Sequence, residues 1–203
     1  MSIIIAGIHT GIGKTICSAV ICHALGYDYW KPVQAGDLDN SDSIFITRNV
    51  TNNQCRIHPE RYRPQSPMSP HKAAEIDGIH IAKEDFILPA SSNPVVVETA
   101  GGIMSPLADN LLNIDLMEHL QLPVILVSNN YLGSINHTLL TVAALQQRNI
   151  PIKGLVFSGE VVPSSREFIL QHTRLPLLFS IPQFEETDAA TIATFAANTT
   201  IQC

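Results

Sequence analysis

The stretch Gly7 to Thr15, GIHTGIGKT, combines residue types that can hold a phosphate. Glycines at 7, 11 and 13 permit positive φ and close approach of the main chain to an anion, and the amides opening the next helix point at it. Lys14 can reach terminal phosphates, and the Thr15 hydroxyl can bind a bridging magnesium. The spacing departs from the usual phosphate-binding loop: five residues separate Gly7 from Gly13, and Ile8 stands where the usual first glycine would fall. An ordinary glycine turn before a helix is the bland alternative. The apolar run Ile3-Ile4-Ile5-Ala6 ahead of the loop and the helical pattern behind it favour phosphate binding.

Three more residues can join this chemistry. Lys31 follows the short strand in YDYWKPV, and residues just past strand ends in an open α/β sheet face the ligand crevice; a solvated surface lysine is the alternative. Asp42 follows Asn40-Ser41, which can cap a helix beginning there, and it reads equally as a first-turn acid or a metal ligand. Glu98 ends the run Pro94-Val95-Val96-Val97 and is followed by Thr99-Ala100-Gly101-Gly102. It can orient magnesium directly or through water, or serve as a solvated or capping acid.

The elements that must position these residues alternate. After the loop, Ile16, Ala19, Val20 and His23 or Ala24 fall at helical spacing, with Gly26 as a stop. The stretch from Thr51 to Pro70, with prolines at 59, 64, 67 and 70, reads as a long irregular connection of the kind that often carries function. Ser69-Pro70-His71 leads into a short helix, and Ile81 to Leu88 reads as another. Val95 to Val97 is apolar without alternation, as a parallel strand buried on both faces requires. Then follow a helix near Leu111 to Leu120, a strand at Val124 to Val127, a helix from Ile135 to Arg148 and a strand at Leu155 to Phe157. A helix near Ser164 to His172, a strand at Leu177 to Phe179 and a helix from Ala189 to Ala197 complete the series. This order predicts an α/β fold: a mostly parallel, doubly wound sheet with helices on both faces.

At 203 residues the chain suits one domain over 1–203, burying roughly 70–75% of its unfolded surface. A net charge of −6, from 12 Lys and Arg against 18 Asp and Glu, gives no basic surface for a nucleic-acid backbone. With no apolar run long enough to span a bilayer and no basic leader, a cytoplasmic protein with no membrane partner is expected. Cys17, Cys22, Cys55 and Cys203 make no CxxC pair and no zinc spacing, so they read as reduced cysteines used mainly for packing.

Taken together, the segments resemble the dethiobiotin synthetase family, from the first strand to the turn near Pro182. GIHTGIGKT resembles that family's GTDTxVGKT, including the extra residue, and WKPVQAG its YKPVxSG. NSDS at Asn40 to Ser43 is similar to NSDA, SPH recurs, and VETAGG followed by IMSPL resembles VEGAGG with its PL pair. LPVILV at Leu122 to Val127 and LGSINH at Leu132 to His137 are similar to LPVILV and LGCINH.

The resemblance implies the fold of the P-loop NTPases and an ATP-dependent ring closure. Carbon dioxide (or bicarbonate) adds to one amine of 7,8-diaminononanoate, the γ-phosphate is transferred to the carbamate, and the second amine closes the cyclic urea. It implies a nucleotide site built from Gly11, Ile12, Gly13, Lys14, Thr15 and Ile16 with Asp42, Glu98, Thr99, Ala100 and Gly101. Thr15, Asp42 and Glu98 would surround Mg2+, Thr10 and Lys31 would contact substrate, and Lys14 and Lys31 would be catalytic. A homodimer with substrate near the subunit boundary, to which LGSINH contributes, is also implied.

Four positions depart from the family pattern. His9 replaces a common aspartate, Ala35 a substrate-contacting serine and Thr99 a glycine, which puts a side chain near the phosphates. Ser158 stands where many members read adenine with an asparagine, which predicts relaxed base preference; the segment after Pro182 is also short for a nucleotide lid. Competing readings are a partition- or septum-type ATPase switch, a related amide ligase and an inactive binding relative. The first carries a second lysine where this chain has His9.

Overall fold

The structure, a computed structural model, describes residues 1–201; Cys203 lies outside them. The first strand, β1 (Ile3–Gly7), leads through the glycine loop into α1 (Lys14–Leu25), and β2 (Asp28–Trp30) follows. Then come α2 (Asp42–Asn49), β3 (Ile57–His58), α3 (Pro70–Asp77) and β4 (Val95–Gly102). A hairpin of β5 (Pro106–Ala108) and β6 (Leu111–Leu112) precedes α4 (Asn113–Leu120). The last part alternates β7 (Val124–Asn129), α5 (Ser134–Gln147), β8 (Ile152–Ser158), α6 (Pro163–Thr173), β9 (Leu177–Ile181) and α7 (Ala189–Asn198).

Seven strands form one sheet in the order β3-β2-β4-β1-β7-β8-β9, and every named pairing in it is parallel. From β1 the chain moves one way to β2, whereas β7, β8 and β9 step the other way. Right-handed crossovers in opposite directions place their helices on opposite faces. Accordingly α1 packs with α2 and α7, and α5 with α6. The doubly wound α/β expectation holds.

Because β1 is central, Ile3, Ile4 and Ile5 have no exposed surface; each contributes about 2–3 kcal/mol by leaving water. Their unbroken apolar run is what a strand covered on both faces requires. In α1 the burial is broader than the spacing of Ile16, Ala19, Val20 and His23 predicts. Cys17 through Cys22 are all buried, while Ile16 and His23 are only partly covered and Ala24 is exposed. The helix is enclosed by the sheet and by α2 and α7, so its core side is no narrow stripe.

Three local expectations are corrected. The stretch 51–70 is not wholly irregular: Ile57 and His58 pair with Tyr29 and Trp30 as the sheet's edge strand, too short to leave a period in sequence. Ile81 to Leu88 is no helix beyond a single 3-10 turn at Lys83–Asp85. Its buried residues, Ile81 and Phe86, do not fall at helical spacing, and Pro89 disfavours helix at Leu88. The predicted helix near Leu111 begins only at Asn113, after the hairpin.

Candidate functional site

The glycine loop stands at the carboxyl end of β1, and Gly13 is the residue before α1. Its φ of 90° and the 2.2 Å between Ser158 Oγ and the place a Cβ would occupy leave glycine as the residue that fits. No side chain caps α1, so its opening amides remain available as anion donors. Lys14 is 6% exposed and its ammonium donates to the His9 carbonyl at 3.0 Å. Burial lowers its pKa to about 8, an effect that the charge of Glu98 opposes and that of Lys31 reinforces.

Around Thr15 the chain assembles a cluster of oxygens. The Thr15 hydroxyl lies 2.9 Å from Asp42 Oδ1 and 2.8 Å from Glu98 Oε1. Asp42 is placed as expected, at the start of α2, where the Ser41 side chain accepts from the Ile44 amide. Glu98 is 1% exposed and sits on β4 among fully covered valines. The ladder between β1 and β4 slips just past Ile5 and Glu98, so regular pairing ends at the acid.

Lys31 joins both carboxylates, pairing with Asp42 and lying 3.5 Å from Glu98 Oε1. Burial alone pulls its pKa down. The charges of Glu98 and Asp42, with hydrogen bonds to both, outweigh that and hold the ammonium above the usual lysine value. For Asp42, burial raises the pKa, but the charge and hydrogen bond of Lys31 more than reverse it, and Thr15 adds to the lowering.

Sequence reasoning missed the groups that hold this cluster. Glu98 Oε2 accepts from Ser18 Oγ at 2.9 Å and from the Tyr29 hydroxyl at 3.1 Å; both residues are fully buried. Burial, then Glu98, push the Tyr29 phenol well above its ordinary pKa, keeping it a donor. Gln34 Oε1 accepts from the Asp42 amide at 3.4 Å while Gln34 Nε2 donates to the Gly36 carbonyl at 3.0 Å. The spacing of Ser18 one helical turn after Lys14 was a usable signal. Nothing in sequence brings Tyr29 to Glu98, because that contact depends on β2 lying beside β4.

Two cavities meet here. One, of about 250 Å³, is lined by Thr10, Gly11, Ile12, Gly13, Lys14 and Thr15 together with Lys31, Asp42, Glu98 and Gly101. The other, of about 510 Å³, adds Gln34, Ala35, Ser69, Pro70, Ala100 and Ser105. Thr10, Lys31, Asp42 and Gly101 border both. Ile16 and Thr99 line neither. Thr99 is buried and donates its hydroxyl to the Ile5 carbonyl at 3.3 Å, so the hydroxyl of the side chain expected near the phosphates is engaged by the sheet. A larger cavity, about 1020 Å³, lies apart, between Ile81, the hairpin and α4.

The oxygens of Thr15, Asp42 and Glu98 are hard donors suited to magnesium. Among the described residues no three His, Cys, Asp or Glu form a metal-binding group. Magnesium accepts that economy, since it keeps several waters and takes few carboxylates beside substrate phosphates. An all-protein zinc or calcium cage would need more.

A family model described as an AAA domain matches residues 1–191. ATP-dependent dethiobiotin synthetase BioD of Chlamydia pneumoniae is 43% identical over 195 residues, 96% of this chain and 87% of its own length. The protein of the same name from Brucella ovis is 42% identical over 184 residues, 91% of this chain and 87% of its own. Among solved structures, a ParA family ATPase from Chlorobium tepidum aligns with TM-score 0.55 at 13% identity, covering 97% of this chain and 99% of that one. At that identity the likeness is one of fold, a phosphate-loop α/β sheet. The identity across nearly the whole chain goes further: the chain belongs to the ATP-dependent dethiobiotin synthetase family.

Proposed function

We propose that this chain is an ATP-dependent dethiobiotin synthetase, closing a cyclic urea on 7,8-diaminononanoate with carbon dioxide and releasing ADP and phosphate. The observation that carries the reading is the position of Lys31 on the shared wall of the two cavities, beside Asp42 and Thr10. A carbamate in the larger cavity and a triphosphate on the glycine loop would then meet across one fixed ammonium. Two anions must be brought into line, so positioning and charge neutralisation carry most of the catalysis.

Lys14 and the uncapped amides of α1 hold the phosphates, and Gly11, Ile12, Gly13, Ala100 and Gly101 shape the loop's surroundings. Thr15, Asp42 and Glu98 would hold Mg2+, which would supply neutralisation of phosphate charge. Thr10 contacts the substrate or the γ-phosphate. Lys31 works as a charged stabiliser of the carbamate and of the developing phosphoryl charge. Service as a base at neutral pH would need a pKa lowered by about three units, and its carboxylate neighbours act in the opposite direction.

The working form is a homodimer of single-domain subunits, in the cytoplasm, with no nucleic-acid or membrane partner. Among the described residues no helix is long and apolar enough to cross a membrane, and the net charge is −6. A partition-type switch is disfavoured by His9 at the position where that class places its second lysine.

The test is phosphate release with magnesium and ATP, with and without the diamine plus bicarbonate. Strong stimulation by the diamine, with a product heavier by one carbonyl less two hydrogens, is expected. Diamine-independent hydrolysis, or no hydrolysis with any nucleotide, overturns the reading.

A further inference from the structure

We propose that Tyr131 is a positioning residue that ties the phosphate loop to the start of α5. It lies just past β7, half-buried, in a turn fixed by its own carbonyl, which accepts from the Ser134 amide at 2.9 Å. On one side its ring meets that of His9 edge to face, with centroids 6.2 Å apart and planes at 65°. On the other, its hydroxyl and His137 Nδ1 share a hydrogen bond of 2.7 Å, with the rings 5.7 Å apart.

His9 is placed to pass this constraint on. Its Nδ1 bonds to the Thr10 carbonyl at 2.8 Å, and its own carbonyl accepts from the Lys14 ammonium at 3.0 Å. The result is a continuous chain of contacts from Lys14 through His9 and Tyr131 to His137. A loop with glycines at 11 and 13, both at positive φ, loses much conformational freedom when it closes on phosphates. Holding His9 beforehand lowers that ordering cost, so the contact adds nucleotide affinity without touching nucleotide. The ring contact is of the edge-to-face kind that aromatic pairs prefer.

This inference rests on the phosphate-loop reading above. Its test is the affinity for a non-hydrolysable ATP analogue with magnesium, measured by titration calorimetry on the full chain. Tyr131→Ala and His9→Ala should each weaken binding about threefold to tenfold, with thermal unfolding checked for each variant. Tyr131→Phe keeps the ring against His9 but loses the bond to His137, so its affinity should fall between those of Tyr131→Ala and the unsubstituted chain. The two substitutions share the ring contact, so the double variant should lose clearly less than the sum of the two single losses. A general packing role for Tyr131 would instead lower the unfolding temperature and leave the losses additive. Additive losses, or unchanged affinity in Tyr131→Ala and His9→Ala, overturn the proposal while leaving the synthetase reading intact. Absence of analogue binding by the unsubstituted chain sinks both.

Discussion

Lys31 and Glu98 stand side by side because Trp30 pairs with Val97 in the parallel ladder of β2 and β4. The next residue on each strand is the charged one, and the 3.5 Å between Lys31 Nζ and Glu98 Oε1 follows from strand register. The ammonium therefore has its place before any ligand arrives. Lys31→Ala should lower kcat/KM by about 3–4 kcal/mol, as loss of one preorganised charge donor does. Steady-state kinetics decide it, and a loss below about tenfold rejects the assigned role.

Tyr29 touches the proposed metal set only through Glu98 Oε2. Removing its hydroxyl leaves Ser18 as the remaining side-chain donor to that oxygen. Tyr29→Phe is expected to raise the magnesium concentration for half-maximal activity by about tenfold or more, the range for groups that orient metal ligands. The accompanying stability loss should be about 1 kcal/mol. An unchanged magnesium titration would mean that Tyr29 does not orient Glu98 for the metal.

At the opposite end of β2, Asp28 is fully buried and accepts from Ser91 Oγ at 2.6 Å, Asn93 Nδ2 at 3.0 Å and the Arg56 amide at 3.1 Å, with His58 Nε2 at 2.8 Å. Burial raises its pKa, but the donors, Ser91 foremost, outweigh it and hold the carboxyl below its ordinary value. A depressed acid stabilises the fold fully above its unfolded pKa of about 3.9, and the contribution is lost as pH falls through the folded value. Asp28→Asn should cost about 2–3 kcal/mol near pH 6. In urea unfolding the gap between the two proteins should narrow below about pH 4; a gap independent of pH would contradict the sign.

Ser158 lies directly against Gly13, at the end of β8 and paired in register with Asn129. With a short hydroxyl where the family resemblance implies an adenine-reading amide, kcat/KM should be about equal for ATP, GTP and CTP. A hundredfold preference for ATP, about 2.7 kcal/mol, would show that another group reads the base.

How much was legible depended on how local the cause was. The glycine loop, the Ser41 cap and the buried strand runs are written in consecutive residues, so their elements and the places of Lys14, Thr15, Asp42 and Glu98 could be read directly. The edge strand at Ile57 and His58 exists because β2 offers it a partner, and two residues carry no period. Ser18, Tyr29 and Gln34 matter through contacts across the sheet, which local spacing does not encode. Thr99 shows the same limit from the other side: its identity was noted, but its bond to the Ile5 carbonyl depends on β1 lying beside β4.

The strand order also fixes a timetable. Ile4 lies between Val97 and Val124, so β1 is made long before either neighbour exists. Synthesis at roughly 5–20 residues per second leaves the nascent segment waiting on the order of 10 s for both partners. Such distant parallel pairings slow folding. Through that interval an apolar isoleucine run is without its sheet, and nascent-chain chaperones have their reason to engage there.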